Sequence, residues 1–564
     1  MDRAWCHGRF PVGSQPRSRL GCVIVLWRVC YAHTSRHSDL FKFADIPYAS
    51  APVNTTSLPI AGANGDVYIP VPRRPDAGAV AIPAQPPNSG EAAITGSPAW
   101  RAVAWVVPAI VTMAAASVGI TGPGLWADEL ATWGMTGVSW PETWRQLGGT
   151  DATLGAYYVF MHLWCAVFGD SDLALRVPSV LAMAGAAAVV GRIGTRLLSA
   201  RGGLVAGLLF AVLPVTARFA QEARPYAMAV FFAAVATLLL VRLLDGRTFP
   251  NGLAYALCLT VLCYVHLIGG LLVVAHGLAV WILQRPMLWR WIRTAVLGII
   301  PVLPLVVLGR RQSAQTSWIE KDPWGAMEHY VQSFFGSALL TGAVLIIGLV
   351  GLGRQRASIV GGAVALIPTA TLLAVGTMIP LWQQRYILFT VIGWVLLVAT
   401  ALERRGTVVV LAVSACLAAA AIPGQREVRT PAERLQDTKA AVALINRDFR
   451  PGDGIVYGLT DRGPGVLNRD IIAHYLPAER RPKDLLVQRP MRTAGYMVAS
   501  ECADVARCLG TTRRIWVLRL GIYPDPIAEL DGTKTTVLRR DYTIAGAWQT
   551  TGLTIALLQR NGGS

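Results

Sequence analysis

Two adjacent carboxylates, Asp128 and Glu129, follow an apolar block in the stretch Gly124-Leu125-Trp126-Ala127-Asp128-Glu129-Leu130. A charged Asp at the centre of a membrane helix costs about 2.5–3.5 kcal/mol, so an acidic pair here belongs in a solvated loop or at the mouth of a polar cavity. In the second setting a carboxylate can serve as general base for a hydroxyl nucleophile. Cations come from other inter-block segments. Arg224 lies in Gln221-Glu222-Ala223-Arg224-Pro225-Tyr226, and Arg385 in Trp382-Gln383-Gln384-Arg385-Tyr386. Arg310, Arg311 and Lys321 lie in the segment 310–335. Arginine stays charged and grips phosphate through a planar fork. Carboxylates on one wall and guanidinium groups on another suit a reaction in which an anion leaves. Arg224 and Arg385 are the preferred phosphate partners, with Arg310, Arg311 and Lys321 behind them. Each has a plainer reading: Arg224 as a partner that lets Glu222 fix a turn, Arg385 as an arginine snorkelling at an interface.

The elements that must position these residues are membrane spans. The chain has 564 residues, 53% hydrophobic and 15% charged, with mean hydropathy +0.46. That charge fraction is too low for one large soluble enzyme, where about 25% is usual. Apolar blocks at 102–120, 173–190, 203–219, 225–243, 251–265, 267–284, 291–308, 336–352, 357–378, 386–401 and 406–422 are long enough to span a bilayer. The net charge of +18 is carried largely by short basic turns between blocks, such as Arg285/Arg290/Arg293 and Arg404/Arg405. These read as cytoplasmic turns and not as a nucleic-acid surface. The segments holding Asp128, Arg224 and Arg385 then lie outside. Tyr157–Phe168 is apolar too, but counting it as a span would turn the Arg192/Arg196/Arg201 loop outward; it is read as a juxtamembrane helix.

Residues 1–100, rich in Pro, Gly, Ser and Arg, read as a disordered cytoplasmic extension, with translation starting after about Ser50 as an open alternative. Residues 101–422 form the transmembrane part. Residues 423–564 have higher charge density and read as an extracytoplasmic α/β domain. Strands are expected at 454–457, 514–520, 535–539 and 553–559, with a helix over 432–447. Of nine cysteines, Cys502 and Cys508 fall in this tail and are a disulfide candidate. No metal-type Cys/His spacing is present.

The acidic pair, Tyr157-Tyr158 to Trp164, Ala174-Leu175-Arg176-Val177-Pro178-Ser179, and Glu222-Ala223-Arg224-Pro225-Tyr226-Ala227 together resemble the GT-C membrane glycosyltransferases. The likeness covers about 100–422 and is nearest to the protein-mannosyltransferase-like and actinobacterial mannosyltransferase branch. It implies a polytopic α-helical fold of about 11–12 spans in the plasma membrane, a polyprenyl-phosphate-sugar donor and an active site facing away from the cytoplasm. It maps the catalytic Asp onto Asp128, with Glu129 orienting the acceptor or helping to bind a divalent cation. Many relatives carry a His-Pro-Pro-like stretch where this chain has Asp151-Ala152-Thr153, which makes Asp151 a second carboxylate candidate. Tyr226, His266 and Trp318 are substrate-binding candidates, against structural or interfacial readings; His162 is open and His276 reads as structural. The implied activity is inverting transfer of mannose to an envelope acceptor such as lipoarabinomannan. A protein hydroxyl acceptor, arabinose as the sugar, a lipid-linked-sugar flippase and a non-catalytic scaffold are the alternatives.

Overall fold

The computed structural model describes residues 98–246, 249–316, 319, 322–458, 468–530 and 532–562. Residues 1–97, Trp318 and Lys321 lie outside the described residues. The chain is a polytopic α-helical membrane protein with a sheet-containing C-terminal region. Among the described residues seven helices are long and apolar enough to cross a membrane: Pro98–Ser117, Asp172–Leu197, Tyr226–Leu244, Arg285–Arg311, Arg356–Gly376, Gln384–Glu403 and Thr407–Glu427. Two bent pairs raise the number to 9: Ala200–Val212 with Pro214–Ala220, bent by 63°, and Trp324–Ser333 with Ala338–Val350, bent by 93°. The expected spans 251–265 and 267–284 are the shorter apolar helices Pro250–Val265 and Leu267–Leu283. The Tyr-rich stretch forms the 14-residue helix Gly155–Phe168. At 1.5 Å per residue it is about 21 Å long, short of the roughly 30 Å hydrocarbon core.

Both bends have a local cause. Leu213 is extended (ψ 130°) because it precedes Pro214, whose ring disfavours a helical residue before it. Gly336 has φ +108°, and a Cβ there would stand 2.6 Å from Pro214 Cβ. Only glycine satisfies both conditions. A Cβ on Gly424, in the last span, would stand 2.8 Å from Pro214 Cγ, so three chain segments close on one proline ring. Elsewhere Asp245 pairs with Arg196 at 3.5 Å and with Arg356 at 2.9 Å. Three of the basic turns therefore meet at one end of the bundle.

The C-terminal region carries a five-stranded sheet ordered β2-β1-β5-β7-β6. Its strands are β1 (Gly454–Gly458), β2 (Lys483–Asp484), β5 (Arg514–Leu520), β6 (Tyr542–Thr550) and β7 (Leu553–Arg560). A separate pair joins β3 (Val487–Arg489) and β4 (Ser500–Glu501). β1 runs parallel to β2 and β5, whereas β7 is antiparallel to β5 and β6. Side chains alternate with the two-residue period of a strand. Ile455, Tyr457, Trp516 and Leu518 join one core with Leu125, Leu130, Tyr157 and Tyr158, while Val456, Ile515 and Val517 join a second core with Leu538 and Leu558. The sheet thus packs directly on the helices that carry the acidic pair.

Three details of the tail differ from expectation. Residues 535–539 belong to a helix, Lys534–Asp541, not a strand. Its buried positions Lys534, Val537 and Leu538 follow i, i+3, i+4 spacing, which outweighs the β-branched Thr-Thr-Val run. The expected helix over 432–447 starts later, at Thr438, where the Asp437 carboxylate accepts from Ala440 N and caps it. The strand β6 was not expected: a register shift between Ile544 and Gly546 interrupts its alternation and leaves Ile544 exposed.

Cys502 and Cys508 are joined in a disulfide. Protein isolated without reductant, alkylated and cleaved, is expected to yield a linked 502–508 peptide by mass spectrometry. Alkylation of both residues as free thiols would contradict this.

Candidate functional site

Asp128 and Glu129 sit in the first turn of helix Ala127–Thr136. Carboxylates are favoured there by the helix dipole. The tail fixes this turn: Gln436 Oε1 accepts from Ala127 N at 3.2 Å, Leu125 N donates to Tyr475 Oη at 2.6 Å, and Thr438 Oγ1 donates to Leu125 O at 3.1 Å. Successive helical residues point about 100° apart, so the two acids face different surroundings.

Glu129 is fully buried. Arg176 grips it through Nε to Oε1 at 2.8 Å and Nη2 to Oε2 at 2.7 Å, and Ala223 N donates to Oε1 at 2.9 Å. The remaining donors of Arg176 reach the carbonyls of Ile120, Pro123 and Gly124 at 2.6, 3.0 and 3.1 Å, so all of its N–H groups are engaged. Burial alone would raise the Glu129 carboxyl; Arg176, joined by Arg434 and the Ala223 N–H, outweighs it and holds the group below its usual range. Glu129 is engaged by Arg176 and Ala223 and ties three segments together.

Asp128 faces the other way and keeps 27% side-chain exposure. Its Oδ2 lies 3.6 Å from Arg385 Nη1 and 3.9 Å from Arg224 Nε, with no hydrogen bond to either. Arg224 Nη1 points to Asp128 O at 3.3 Å and to Tyr158 Oη at 3.5 Å. Tyr158 Oη donates in turn to Asp151 Oδ2 at 2.9 Å. Arg224 therefore lies between two carboxylates, one direct and one through a phenol. Burial pushes the Asp151 carboxyl up, with the charge of Asp128 adding to it and Arg224 opposing. Asp151 also has φ +58°, a left-handed conformation uncommon for a side-chain-bearing residue. Burial works against the charge of Arg224, but Asp128, Tyr158, Tyr226 and Asp151 together outweigh it and hold that guanidinium above its ordinary range.

Arg385 is ringed by aromatic groups, its guanidinium carbon 5.9 Å from the Trp126 ring and 6.0 Å from Tyr226 and Tyr386. His266 stands edge-on to both tyrosines, with ring centroids 5.6 Å apart in each case. Tyr226 and His266 thus border the arginine. Arg310 and Arg311 are exposed at the end of helix Leu303–Arg311 and pair with neither carboxylate. The residues just beyond them do reach the site: Gln312 and Gln315 accept from Ala152 N at 2.9 Å and Asp151 N at 3.3 Å. His162 lies against Trp140, away from Asp128, and His276 is buried between Tyr255 and Thr237. Arg176, Tyr158, Gln312 and Gln436 were not expected as site residues. Only Arg176 and Tyr158 carried a signal, inside the stretches that bear the family resemblance. Among the described residues no group of three or more His, Cys, Asp or Glu is placed to hold a metal ion.

Residues 153–308 match the family profile described as dolichyl-phosphate-mannose-protein mannosyltransferase. The structure is similar to that of ArnT from Cupriavidus metallidurans bound to undecaprenyl phosphate, with TM-score 0.54 at 12% identity, covering 81% of this chain and 98% of ArnT. The chain has an ArnT-like fold. The structure of ArnT in the apo state matches with TM-score 0.53 at 11% identity, over 80% of this chain and 97% of that one. This is the GT-C architecture that the sequence motifs resemble. No curated protein sequence matches.

Breaking a buried ion pair by removing one partner costs about 3–5 kcal/mol. Arg176→Ala is accordingly expected to lower the thermal unfolding midpoint of the detergent-solubilised protein sharply, whereas exposed Arg310→Ala leaves it unchanged. Equal midpoints for the two variants would contradict the assignment of Arg176.

Proposed function

We propose that the chain is an inverting glycosyltransferase. It moves mannose from polyprenyl-phosphate-mannose to an envelope acceptor outside the cytoplasm, a lipoglycan such as lipoarabinomannan at its mannose caps. The observation that carries this reading is the accessible Asp128 carboxylate facing the guanidinium groups of Arg385 and Arg224 at 3.6 and 3.9 Å without hydrogen-bonding either. Such a group is held near cations but keeps an oxygen available.

In the proposed step an acceptor hydroxyl attacks the anomeric carbon as the bond from that carbon to the phosphate oxygen breaks. The hydroxyl proton goes to Asp128, and the electron pair leaves with polyprenyl phosphate. A single displacement of this kind inverts the anomeric centre. A phosphate between Arg224 and Arg385 competes with Asp128 for their charge, which frees the carboxylate for the proton as the leaving group gains its negative charge. Tyr158 and Asp151 hold Arg224 from behind. Glu129 acts by positioning, because neither of its oxygens is free.

Further support comes from the fold shared with ArnT, whose crystal holds undecaprenyl phosphate, and from the mannosyl family profile over 153–308. The Cys502–Cys508 disulfide favours an oxidising compartment for the tail. A plasma-membrane location with the tail and the site outside follows if the basic turns are cytoplasmic.

The test is transfer of labelled mannose from polyprenyl-phosphate-mannose to a lipoglycan fraction by membranes containing wild type or Asp128→Asn. Loss of a general base lowers the rate by about 10²–10⁴-fold. Transfer by wild type but not Asp128→Asn supports the reading. Transfer unchanged in Asp128→Asn moves the base to Asp151, and labelling of protein instead of lipoglycan changes the acceptor to a Ser/Thr hydroxyl. No transfer by wild type contradicts the mannose donor; transfer with a pentose donor then identifies an arabinosyltransferase, and failure with both favours a flippase.

A further inference from the structure

A cavity of about 450 Å³ opens beside the site, between the outer ends of the spans and the segment that leads into the tail. Asp128 does not line it, but Trp126 and Arg385 do, and Arg385 Nη1 lies 3.6 Å from Asp128 Oδ2. The floor is where the two bent helix pairs and the last span meet, at Pro214, Gly336 and Gly424. The outer wall is contributed by Glu427 to Leu435, which joins the last span to the tail. Both bent helix pairs and the segment after the last span thus contribute to its walls.

Its lining has a definite chemistry. Trp126, Phe219 and Phe334 supply aromatic surface. The Trp126 ring is flanked by two guanidinium groups, Arg218 at 5.8 Å and Arg385 at 5.9 Å. Arg218 is ion-paired to Glu222 and lies 3.5 Å from Glu433 Oε1. Gln384 donates to Ser333 Oγ at 3.3 Å across the cavity's inner rim. The charged lining residues are Arg218, Arg385, Glu427 and Glu433, two of each sign. A phosphate would meet two carboxylates there. A neutral polyhydroxyl meets carboxylate and amide acceptors, guanidinium donors and a flat aromatic face, the mixture of apolar wall and few convergent polar groups typical of a small-ligand pocket.

We propose that this cavity is a subsite for a neutral saccharide, one or two pyranose rings in size, bordered by Trp126 and Arg385. The inference rests on the proposed glycosyl transfer for the identity of the ligand and goes beyond it in assigning a second binding region. Two sources share this chemistry: the sugar of the donor and the glycan end of the acceptor. In either case the linking segment 427–435 is part of the substrate site, and Glu433 is a specificity residue contributed from beyond the last span.

The test uses the full chain in detergent, with Ala432→Trp to obstruct the mouth and Glu433→Gln to remove a carboxylate. Neither residue belongs to the machinery around Asp128, and Ala432 is exposed, so the larger side chain is compatible with folding. With the mannosyl donor and lipoglycan acceptor, both variants are expected to raise KM for one substrate about tenfold, the equivalent of one lost contact, with kcat within about twofold. A rise for the donor identifies the donor's sugar, and a rise for the acceptor identifies the acceptor glycan. Unchanged KM for both in an active enzyme overturns the subsite and leaves the proposed function standing. Should wild type show no transfer, binding of α-mannobiose read by tryptophan fluorescence decides. Saturable binding lost in Ala432→Trp supports the subsite; no binding by wild type, or displacement by inorganic phosphate, overturns it.

Discussion

The arrangement around the site depends on one buried ion pair, Glu129 with Arg176. Both side chains are fully buried, and a buried charge is tolerated only when its partner and its remaining hydrogen bonds are all supplied. Here they are. The pair joins the end of the first span through the carbonyls of residues 120, 123 and 124, the second long span through Arg176 itself, and the turn after Ala220 through Ala223 N. Asp128 and Arg224 are the immediate chain neighbours of Glu129 and Ala223. Fixing the one pair therefore fixes the other, and the Asp128 carboxylate is set beside the Arg224 guanidinium by a contact it does not itself make.

The tail completes this framework. Arg434, fully buried, donates to Gln221 O at 2.8 Å and lies 3.6 Å from Glu222, on the same turn that Glu129 holds from the other side. Asp172, at the start of a span, is met by Lys439, His474 and Tyr475. Arg492 pairs with Asp470 and occupies the space above Gly134, where a Cβ would stand 2.1 Å from its guanidinium carbon. With a hydrophobic core shared between the sheet and the Asp128 helix, residues 423–564 act as one wall of the site.

Much of this was legible in the sequence because it follows from composition and local pattern. The apolar blocks became helices, and Arg385, conspicuous as a cation against the charge rule, lies 3.6 Å from Asp128. Which member of the acidic pair faces Arg224 and Arg385 was not legible, since a helix separates the two only by rotation and the deciding partner, Arg176, is distant in sequence. Arg310 and Arg311 had the right charge at the right loop, yet the neutral glutamines just after them reach Asp151, because helix phase selects the contact. The cavity at Trp126 was equally hidden: it needs two proline- and glycine-determined bends and the segment after Glu427 to meet.

The most direct test of the account is a double-mutant cycle on Glu129→Gln and Arg176→Met, followed by unfolding of the detergent-solubilised protein. If the buried pair organises the site, each single change strands a charge or a set of donors, and the double change relieves part of that cost. The double variant is then expected to be more stable than the sum of the singles implies, by about 1–3 kcal/mol. Additive losses, within about 0.5 kcal/mol, would contradict the claim that this pair holds the site together.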